Sequence, residues 1–326
     1  MATLETTFAG LKLKNPFIVS SSGLTDSAAK NKKHAEAGAG AVVLKSLFEE
    51  QIRLEAGHLE DYAMYPEGSE YLAGYIREHK LAEYLTLIKE SKKACDIPII
   101  ASINCYDDSD WVDFAGQIEA AGADALEINI LALQTDVHYT PGTWEQRHVE
   151  ILTHVKRTVS IPVIVKLGDN LTNPVALINQ LLANGAAAVV LFNRFFQPDI
   201  DINKLTHSSG SVLSNGSELS KTLRWIGIAS AQVKAIDYAA SGGIHTPEGI
   251  VKSILAGASA VEVCSVLYQT NAPSFIKESL EFLSNWMDSK GFKSISQFKG
   301  LLNLHDLSGV NTFERTQFLK YFATHQ

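Results

Sequence analysis

The sequence contains little cysteine, and the cysteines it has are scattered. Cys95, Cys105 and Cys264 are the three cysteines in 326 residues, and none belongs to a paired motif. Disulfide frameworks, zinc sites and iron–sulfur clusters need cysteines in recognisable spacings. The sequence therefore gives no support for any of these sites. We expect no bound metal, and the cytoplasm, a reducing compartment, fits this composition best.

Long apolar runs and an excess of positive charge are also missing. No stretch approaches the roughly 20 apolar residues that cross a bilayer, and the N-terminus lacks a basic segment followed by an apolar run. The chain carries 28 Lys and Arg against 36 Asp and Glu, so no net positive field attracts nucleic acid. We expect a protein that is not exported and that binds neither a membrane nor nucleic acid.

The sequence does contain an alternation of short apolar runs with longer segments of helical periodicity. This alternation is typical of parallel strands joined by helical crossovers, and it predicts the α/β class with a (β/α)8 TIM barrel. Such barrels reach this length as one unit, so we predict a single domain over residues 1–326, with a C-terminal extension from about residue 290. The eight predicted strands are Phe17–Ser21, Ala41–Lys45, Pro98–Ser102, Ala125–Asn129, Pro162–Lys166, Ala188–Asn193, Ala235–Ala239 and Ala260–Cys264.

Three segments depart from the regular alternation. Residues 4–14 predict a hairpin around Ala9 and Gly10 that plugs the barrel end opposite the catalytic face. Long loops follow the second strand, from Leu47 to about residue 79, and the sixth strand, from Phe195 to about residue 217. Long insertions after barrel strands lie on the catalytic face, so we expect both loops to cover it.

Polar residues gather where the predicted strands end, which is where barrels carry their chemistry. Lys45 and Lys166 each follow an apolar run, and a buried ammonium needs an anionic or strongly accepting partner, which a reduced flavin would supply. The structural alternative is a lysine whose stem packs on apolar atoms while its ammonium stays in water. The polar candidates are Ser21, Ser22, Gly23, Lys45, Ser46, Ser102, Asn104, Asn129, Lys166, Asn193, Gly242, Gly243, Cys264 and Ser265.

Paired glycines after the seventh strand predict a phosphate site. Gly242 and Gly243 permit close backbone approach, and the loops after strands seven and eight form the recurring phosphate cradle of barrels. Cys264 and Ser265 end the eighth strand and belong to the same predicted cradle. Such a cradle suits a cofactor and a phosphorylated substrate equally well, and a tight turn is the structural alternative.

Several motifs follow one another in order along the strands and their exits. They are Leu13–Phe17, Ser20–Gly23, Val43–Ser46, Glu127–Asn129, Pro162–Leu167, Ser241–Ile244 and Cys264–Ser265. Together they resemble the dihydroorotate dehydrogenase family, class 1 in particular, across nearly the whole chain. The resemblance implies a homodimeric, FMN-binding TIM barrel that oxidises dihydroorotate, or a related dihydropyrimidine or small carboxylate, as in pyrimidine biosynthesis.

The resemblance also implies a role for each residue that matches a family motif. Lys166 would lie near the N1/O2 end of the flavin and stabilise its reduced anion, while Asn129 and Asn193 would face the substrate. The remaining implied FMN contacts are Ser22 and Gly23 against the ring, Lys45 and Ser46 at its edge, Asn104 in the same shell, and the amides around Gly242, Gly243, Cys264 and Ser265 at the phosphate.

The segment after the central asparagine departs from the family pattern. The family's general base lies in a serine-cysteine-proline-asparagine kind of loop, and Ala132 stands at that position here, where it cannot accept a proton. The substrate half of the site is therefore rewritten, while the flavin half resembles the family. The candidate replacements for the base are Cys105, Thr135, His138 and Tyr139.

The sixth strand departs as well, because Arg194 follows Asn193 where the family has serine. A guanidinium can clamp a substrate carboxylate through two hydrogen bonds. Arg194 can equally serve as a structural partner of Asp199 or Asp201.

Two other functions are compatible with the same residues. A phosphate-binding lyase or aldolase could use Lys166 or Lys45 as a Schiff-base nucleophile. A non-catalytic FMN-binding subunit could have kept the cradle after losing the proton-transfer residue. The chain carries no iron–sulfur motif, so any such centre would come from an electron-transfer partner subunit.

Overall fold

The computed structural model describes residues 2–48, 66–104, 111–195 and 197–304, without the side chains of residues 66–75 and 111–113. Eight parallel strands close into a barrel, which confirms the predicted TIM-barrel fold. Closure is complete because the strand Phe17–Val19 pairs with both Ala260–Val263 and Ala41–Val43, and Ala41–Val43 also pairs with Ile99–Asn104. The barrel strands are β3 (Phe17–Val19), β4 (Ala41–Val43), β6 (Ile99–Asn104), β7 (Ala125–Ile130), β8 (Val163–Leu167), β9 (Ala188–Leu191), β12 (Asp237–Ser241) and β13 (Ala260–Val263).

The seventh predicted strand, Ala235–Ala239, is wrong by two residues at each end. The ladder begins at Asp237, whose register partner is Ala188 on β9. The Asp237 carboxylate accepts hydrogen bonds from the Ala9 amide at 3.0 Å and the Ser259 hydroxyl at 2.8 Å. This polar anchor fixes the start of the strand, so the apolar residues before it lie outside the barrel ladder.

Helices cover the outside of the barrel, and the strands are buried between them and the barrel interior. Local signals set the helix ends: the Asn173 side chain caps α5 by accepting a hydrogen bond from the Ala176 amide at 3.1 Å, and Pro174 follows in the first turn. No helix within the described ranges is long and apolar enough to span a membrane. The helices are α1 (Ala28–Ala37), α2 (Pro66–Ala94), α3 (Trp111–Ala120), α4 (Thr143–Thr158), α5 (Pro174–Ala183), α6 (Leu219–Gln232), α7 (Pro247–Ala256), α8 (Ser265–Gln269) and α9 (Ala272–Lys290).

The N-terminal hairpin closes one end of the barrel, as predicted. Its strands, β1 (Thr6–Phe8) and β2 (Leu11–Leu13), pair in antiparallel register. Phe8 and Leu13 are buried in one cluster with the alanines that begin several barrel strands, among them Ala41 and Ala260. These small residues leave room at the N-terminal end of the barrel for the large hairpin side chains, so the opposite end remains for a site.

The two long loops differ in how far they follow the prediction. The loop expected from Leu47 to about residue 79 is wrong in extent, because β5 (Leu47–Phe48) joins the sheet beside β6 and α2 already begins at Pro66. Residues 49–65 lie outside the described part of the chain. The second excursion contains the hairpin β10 (Pro198–Asp201) and β11 (Thr206–Ser209), and then returns to the strand ends through Val212–Ser214.

The segment after α9 packs against the plugged end of the barrel. Phe298 is fully buried, and the Lys299 ammonium donates to the Ser259 hydroxyl at 2.8 Å. The first part of the predicted C-terminal extension therefore packs against the barrel. Residues 305–326 lie outside the described ranges.

Candidate active site

A cavity of about 540 Å³ opens where the barrel strands end. Its volume lies within the roughly 300–1,000 Å³ range of small-molecule and cofactor sites. It is lined by eight of the residues predicted from the sequence, namely Ser21, Lys166, Asn193, Arg194, Gly242, Gly243, Cys264 and Ser265. The other lining residues are Ser20, Phe192, Val212, Leu213, Ser214, Ser241, Ile244, Glu262, Val263 and Tyr268.

The period-two geometry of strands explains why this end of the barrel interior is polar. Ile18, Ile164 and Ala260 belong to the inward-facing core cluster. Side chains two positions further along a strand point to the same face, so Ser20, Lys166 and Glu262 follow them inward. By the same rule Glu127 follows Ala125. The layer nearest the strand exits is therefore a polar cluster above an apolar core.

Lys166 lies at the centre of this polar cluster and is buried. Its ammonium donates to Glu262 Oε2 at 2.6 Å and to Ser20 Oγ at 3.0 Å, and it lies 3.7 Å from Glu127 Oε1. The Ser20 hydroxyl also donates to Glu262 Oε2 at 3.0 Å. The sequence analysis proposed a reduced flavin as the anionic partner of Lys166. In the structure, carboxylates of the barrel already pair with its ammonium.

The three ionisable groups of the cluster shift one another's pKa values. Burial and then the Glu262 charge raise the pKa of Glu127 well above its ordinary value. Burial opposes ionisation of Glu262 and Lys166 too, but their mutual attraction and hydrogen bonds outweigh it, lowering the pKa of Glu262 and raising that of Lys166. These directions favour an ionised Glu262 paired with Lys166 and a proton retained on Glu127.

A chain of hydrogen bonds joins the exits of neighbouring strands. Asn193 donates to Asn129 Oδ1 at 3.2 Å, and Asn129 donates to Ser102 Oγ at 2.9 Å. The Ser102 hydroxyl lies 2.8 Å from the Ser46 hydroxyl, which lies 2.9 Å from that of Ser21. The structure therefore links the predicted residues Asn129 and Ser46 to the cavity, although neither lines it.

The predicted phosphate loops meet a third segment at the cavity. The Ser214 amide donates to Ser265 Oγ at 3.0 Å, and Ser214 Oγ accepts from the Gly243 amide at 3.4 Å and lies 3.1 Å from His245 Nε2. Gly242 has φ +90°, and a Cβ built on it would meet nothing within 4 Å. The backbone at Gly242 is therefore open to an occupant of the cavity.

Lys45 does not join Lys166. Its side chain is exposed, and with Ser46 it lines a second cavity between α1 and α2. The prediction that both lysines are buried is therefore wrong for Lys45. Lys45 follows the end of β4, and its side chain lies between the helices instead of inside the barrel.

Three further candidates surround the cavity without lining it. Gly23 lies close to the ring hydroxyl of Tyr268, since a Cβ on Gly23 would be 2.9 Å from that atom. Ser22 is in hydrogen-bond contact with the Cys264 thiol, whose pKa is raised by burial. Asn104 is half-buried and opposite Asn129 in the β6–β7 register.

Arg194 has a structural partner that the sequence analysis did not name. Its Nε lies 3.1 Å from Glu218 Oε2, and another guanidinium nitrogen donates to the Val212 carbonyl at 3.0 Å. The suggested pairing with Asp199 or Asp201 is therefore wrong. Arg194 still lines the cavity, and its hydrogen bond to the Val212 carbonyl holds the Val212–Ser214 segment beside it.

None of the three described candidates for the missing base reaches the cavity. Thr135 and His138 are exposed, and Tyr139 is half-buried, with its hydroxyl accepting from the Trp144 amide at 3.4 Å. Ala132 is half-buried, and its carbonyl accepts from the Asn170 side chain at 2.9 Å. Cys105 lies outside the described residues.

The sequence analysis did not name Glu262, Ser20 or Ser214 as site residues, although Ser20 begins one of its motifs. A glutamate in the middle of a predicted buried strand was a usable signal, because a buried carboxylate requires a cationic or hydrogen-bonding partner. No local signal marks Ser214, whose position depends on the path of a long loop. In the ranges that the structure describes, no group of three or more His, Cys, Asp or Glu side chains is arranged to hold a metal ion.

The cavity fits the nucleotide that the resemblance implies. It combines an open glycine backbone beside Ser214 and Ser265 with a buried ammonium at Lys166, within one volume. A phosphate requires hydrogen-bond donors and free backbone, and a flavin ring requires polar groups near its pyrimidine edge. Gly242, Gly243, Ser265 and Lys166 could therefore hold FMN.

Comparison with known proteins gives a consistent result. The family model for dihydroorotate dehydrogenase matches residues 3–283. The chain is 29% identical over 313 residues to the dihydroorotate dehydrogenase B (NAD(+)) catalytic subunit of Thermoplasma volcanium, covering 92% of this chain and 99% of that protein. It is 30% identical over 312 residues to the protein of the same name from Methanosarcina mazei, covering 90% and 94%. It is also 26% identical over 331 residues to the NAD-dependent dihydropyrimidine dehydrogenase subunit PreA of Escherichia coli, covering 92% and 77%.

Proposed function

Because the chain belongs to the dihydroorotate dehydrogenase family, we propose that it is an FMN-dependent oxidoreductase acting on the CH–CH bond of dihydroorotate or a related dihydropyrimidine or small carboxylate. The observation that carries the proposal is the single cavity in which buried Lys166 and the Gly242–Gly243 backbone meet. Relatives named for both dihydroorotate and dihydropyrimidine dehydrogenases support this range of substrates.

Bound FMN would supply the hydride acceptor, and the residues of the chain would bind and orient both reactants. The backbone at Gly242, Gly243 and Ser265 would hold the phosphate. Lys166 would contact the pyrimidine edge of the ring, with Ser20 and Glu262 fixing its ammonium. Val212 and Leu213 would exclude water from one side of the cavity.

Two asparagines would orient the substrate. Asn193 lines the cavity, and its hydrogen bond to Asn129 holds both amides in place at adjoining strand exits. Amides donate and accept hydrogen bonds, as the ureide and carboxylate edges of a dihydropyrimidine require. Ala132 contributes no proton acceptor, so this chain would need a base from elsewhere or would oxidise a substrate whose proton leaves to water.

The Schiff-base alternative is disfavoured by the same cluster. A nucleophilic lysine needs a lowered pKa so that its amine is free of a proton. Glu127 and Glu262 instead raise the pKa of Lys166, and the ion pair at 2.6 Å holds the proton on its ammonium. Lys45 is exposed and lacks the desolvated surroundings that activate such a lysine.

The names of the relatives also support a partner. Two are catalytic subunits and one is a subunit of an NAD-dependent enzyme. We therefore include in the proposal a separate electron-transfer subunit that reoxidises the flavin. A homodimer of this chain is included on the family resemblance alone.

The test is anaerobic titration of the purified protein. We expect a yellow protein with about one FMN per chain, whose visible absorbance is bleached by dihydroorotate or by dihydrouracil. A protein that neither retains nor takes up FMN would contradict the cofactor. Stoichiometric FMN that no dihydropyrimidine or small carboxylate bleaches would contradict the substrate class but leave the cofactor standing.

A further inference from the structure

The polar cluster around Lys166 contains two acidic side chains, Glu127 and Glu262, beside this one lysine. Glu127 and Glu262 are both fully buried beside Lys166, which is the sole cation described within 4 Å of either carboxylate. Two buried carboxylates against one ammonium would leave a net negative charge in a medium of low dielectric constant, which is costly. One carboxyl must therefore carry a proton.

Hydrogen bonding indicates which carboxyl is protonated. Glu262 accepts from both Lys166 and Ser20, whereas Glu127 is farther from the ammonium, at 3.7 Å, and receives a long bond of 3.5 Å from Asn129. The two carboxyl groups are in hydrogen-bond contact with each other. With both ionised, Glu127 Oε2 and Glu262 Oε1 would lack a donor, and a proton on Glu127 would supply one between the two carboxyl groups.

The charge that a cavity occupant meets follows from this arrangement. A lone buried ammonium next to a flavin would favour the reduced anion over the oxidised ring. Here a carboxylate 2.6 Å from the ammonium cancels most of that field, because the pair acts at a distance as a dipole rather than as a charge.

We propose that Glu262 is a positioning residue that sets the reduction potential of the bound flavin, by neutralising the charge of Lys166. The inference rests on the proposed function, since it needs FMN in the cavity. Glu127 is the protonated member that fixes the free oxygen of Glu262. The flavin of this protein is therefore harder to reduce than it would be above an unpaired lysine.

Spectroscopic redox titration of the FMN-loaded protein against reference dyes tests this inference. In Glu262→Gln, Glu127 can ionise and offset part of the Lys166 charge, although it lies farther from the ammonium than Glu262 does. We therefore expect the potential to rise, but by less than in the double variant. In Glu127→Gln, which imitates the protonated acid, we expect little change. In the double variant Lys166 has no carboxylate, and the ratio of affinities for reduced and oxidised FMN should rise about tenfold, or roughly 30 mV for a two-electron couple.

The set of variants separates a redox role from a structural one. A purely structural role for Glu262 would lower the melting temperature and leave the ratio of affinities for reduced and oxidised FMN within threefold of wild type, which would overturn the inference. Should the double variant fail to fold, the single variants decide it: Glu262→Gln must exceed Glu127→Gln in potential, and equal values would overturn it. A wild-type protein without FMN would instead refute the proposed function.

Discussion

Ala132 stands where the family has its general base, and its side chain cannot accept the substrate proton. It follows β7, the strand that carries Asn129, by two residues and is half-buried. A proton acceptor there typically contributes about 10²- to 10⁴-fold to the rate of a proton-transfer step. Replacing this alanine with a proton acceptor should therefore increase the rate of substrate oxidation.

We predict that Ala132→Cys accelerates the anaerobic reduction of bound FMN by dihydroorotate by about 10²-fold or more, because a thiolate can take the substrate proton. Stopped-flow measurement of flavin bleaching checks this. Leu133→Cys is the matched control, since it adds the same thiol to an exposed neighbouring position. Equal rates in the two variants would show that position 132 does not face the reacting carbon.

Glu127 should make stability depend on pH in a defined direction. The pKa of its carboxyl is raised in the folded state above the ordinary value of 4.5. The unfolded chain then releases this proton at lower pH than the folded chain, so its contribution to stability is present below about pH 4.5 and is lost as pH rises toward the raised value.

We therefore predict that Glu127→Gln, which cannot lose a proton, gains stability relative to wild type as the pH rises from 5 to 9. Melting temperatures of both proteins across this range provide the measurement. Glu248→Gln is a control at the exposed first turn of α7, outside the cluster. A difference between Glu127→Gln and wild type that stays constant with pH would mean that Glu127 is ionised in the folded protein.

At the scale of elements, strands were predictable and their contacts were not. Apolar runs located all eight barrel strands, because a strand buried on both faces has few polar residues before its exit. Glu262 broke that pattern and was overlooked, since its partner Lys166 lies on a different strand. The register that brings the two together is a property of the closed sheet rather than of either segment.

Among the turns, Gly242 allows a matched comparison. Gly242 and Gly122 both have positive φ, +90° and +99°, and a Cβ on either would meet nothing within 4 Å. Alanine at either position should therefore cost a similar backbone strain of roughly 1–2 kcal/mol. Only Gly242 of this pair lines the cavity.

We predict that Gly242→Ala weakens FMN binding by at least tenfold, because its methyl group occupies space at the phosphate cradle. Gly122→Ala should lose similar stability and bind FMN as wild type does. Fluorescence titration with FMN and with riboflavin distinguishes the phosphate from the ring: a smaller loss is expected for riboflavin. Equal losses of FMN affinity in Gly242→Ala and Gly122→Ala would mean that lower stability, and not a methyl group at the cavity, causes the effect.

At the scale of the whole molecule, the alternation of strands and helices was sufficient to predict the barrel, and residues 4–14 predicted the hairpin that closes one end. The N-terminal hairpin fills one end with Phe8 and Leu13, so a large ligand can enter only at the other. The boundary of α2 and the course of the returning loop could not be predicted, because both depend on packing between distant segments. Ser214 and Glu218, which complete the cavity and hold Arg194, come from that loop.

The most direct measurement is a crystal structure of the purified protein soaked with FMN. We predict electron density for one flavin at the strand exits, with its phosphate on the Gly242–Gly243 backbone and its pyrimidine edge within hydrogen-bond distance of the Lys166 ammonium. A flavin bound anywhere else, or a cavity that stays free of flavin at saturating FMN, would contradict the account.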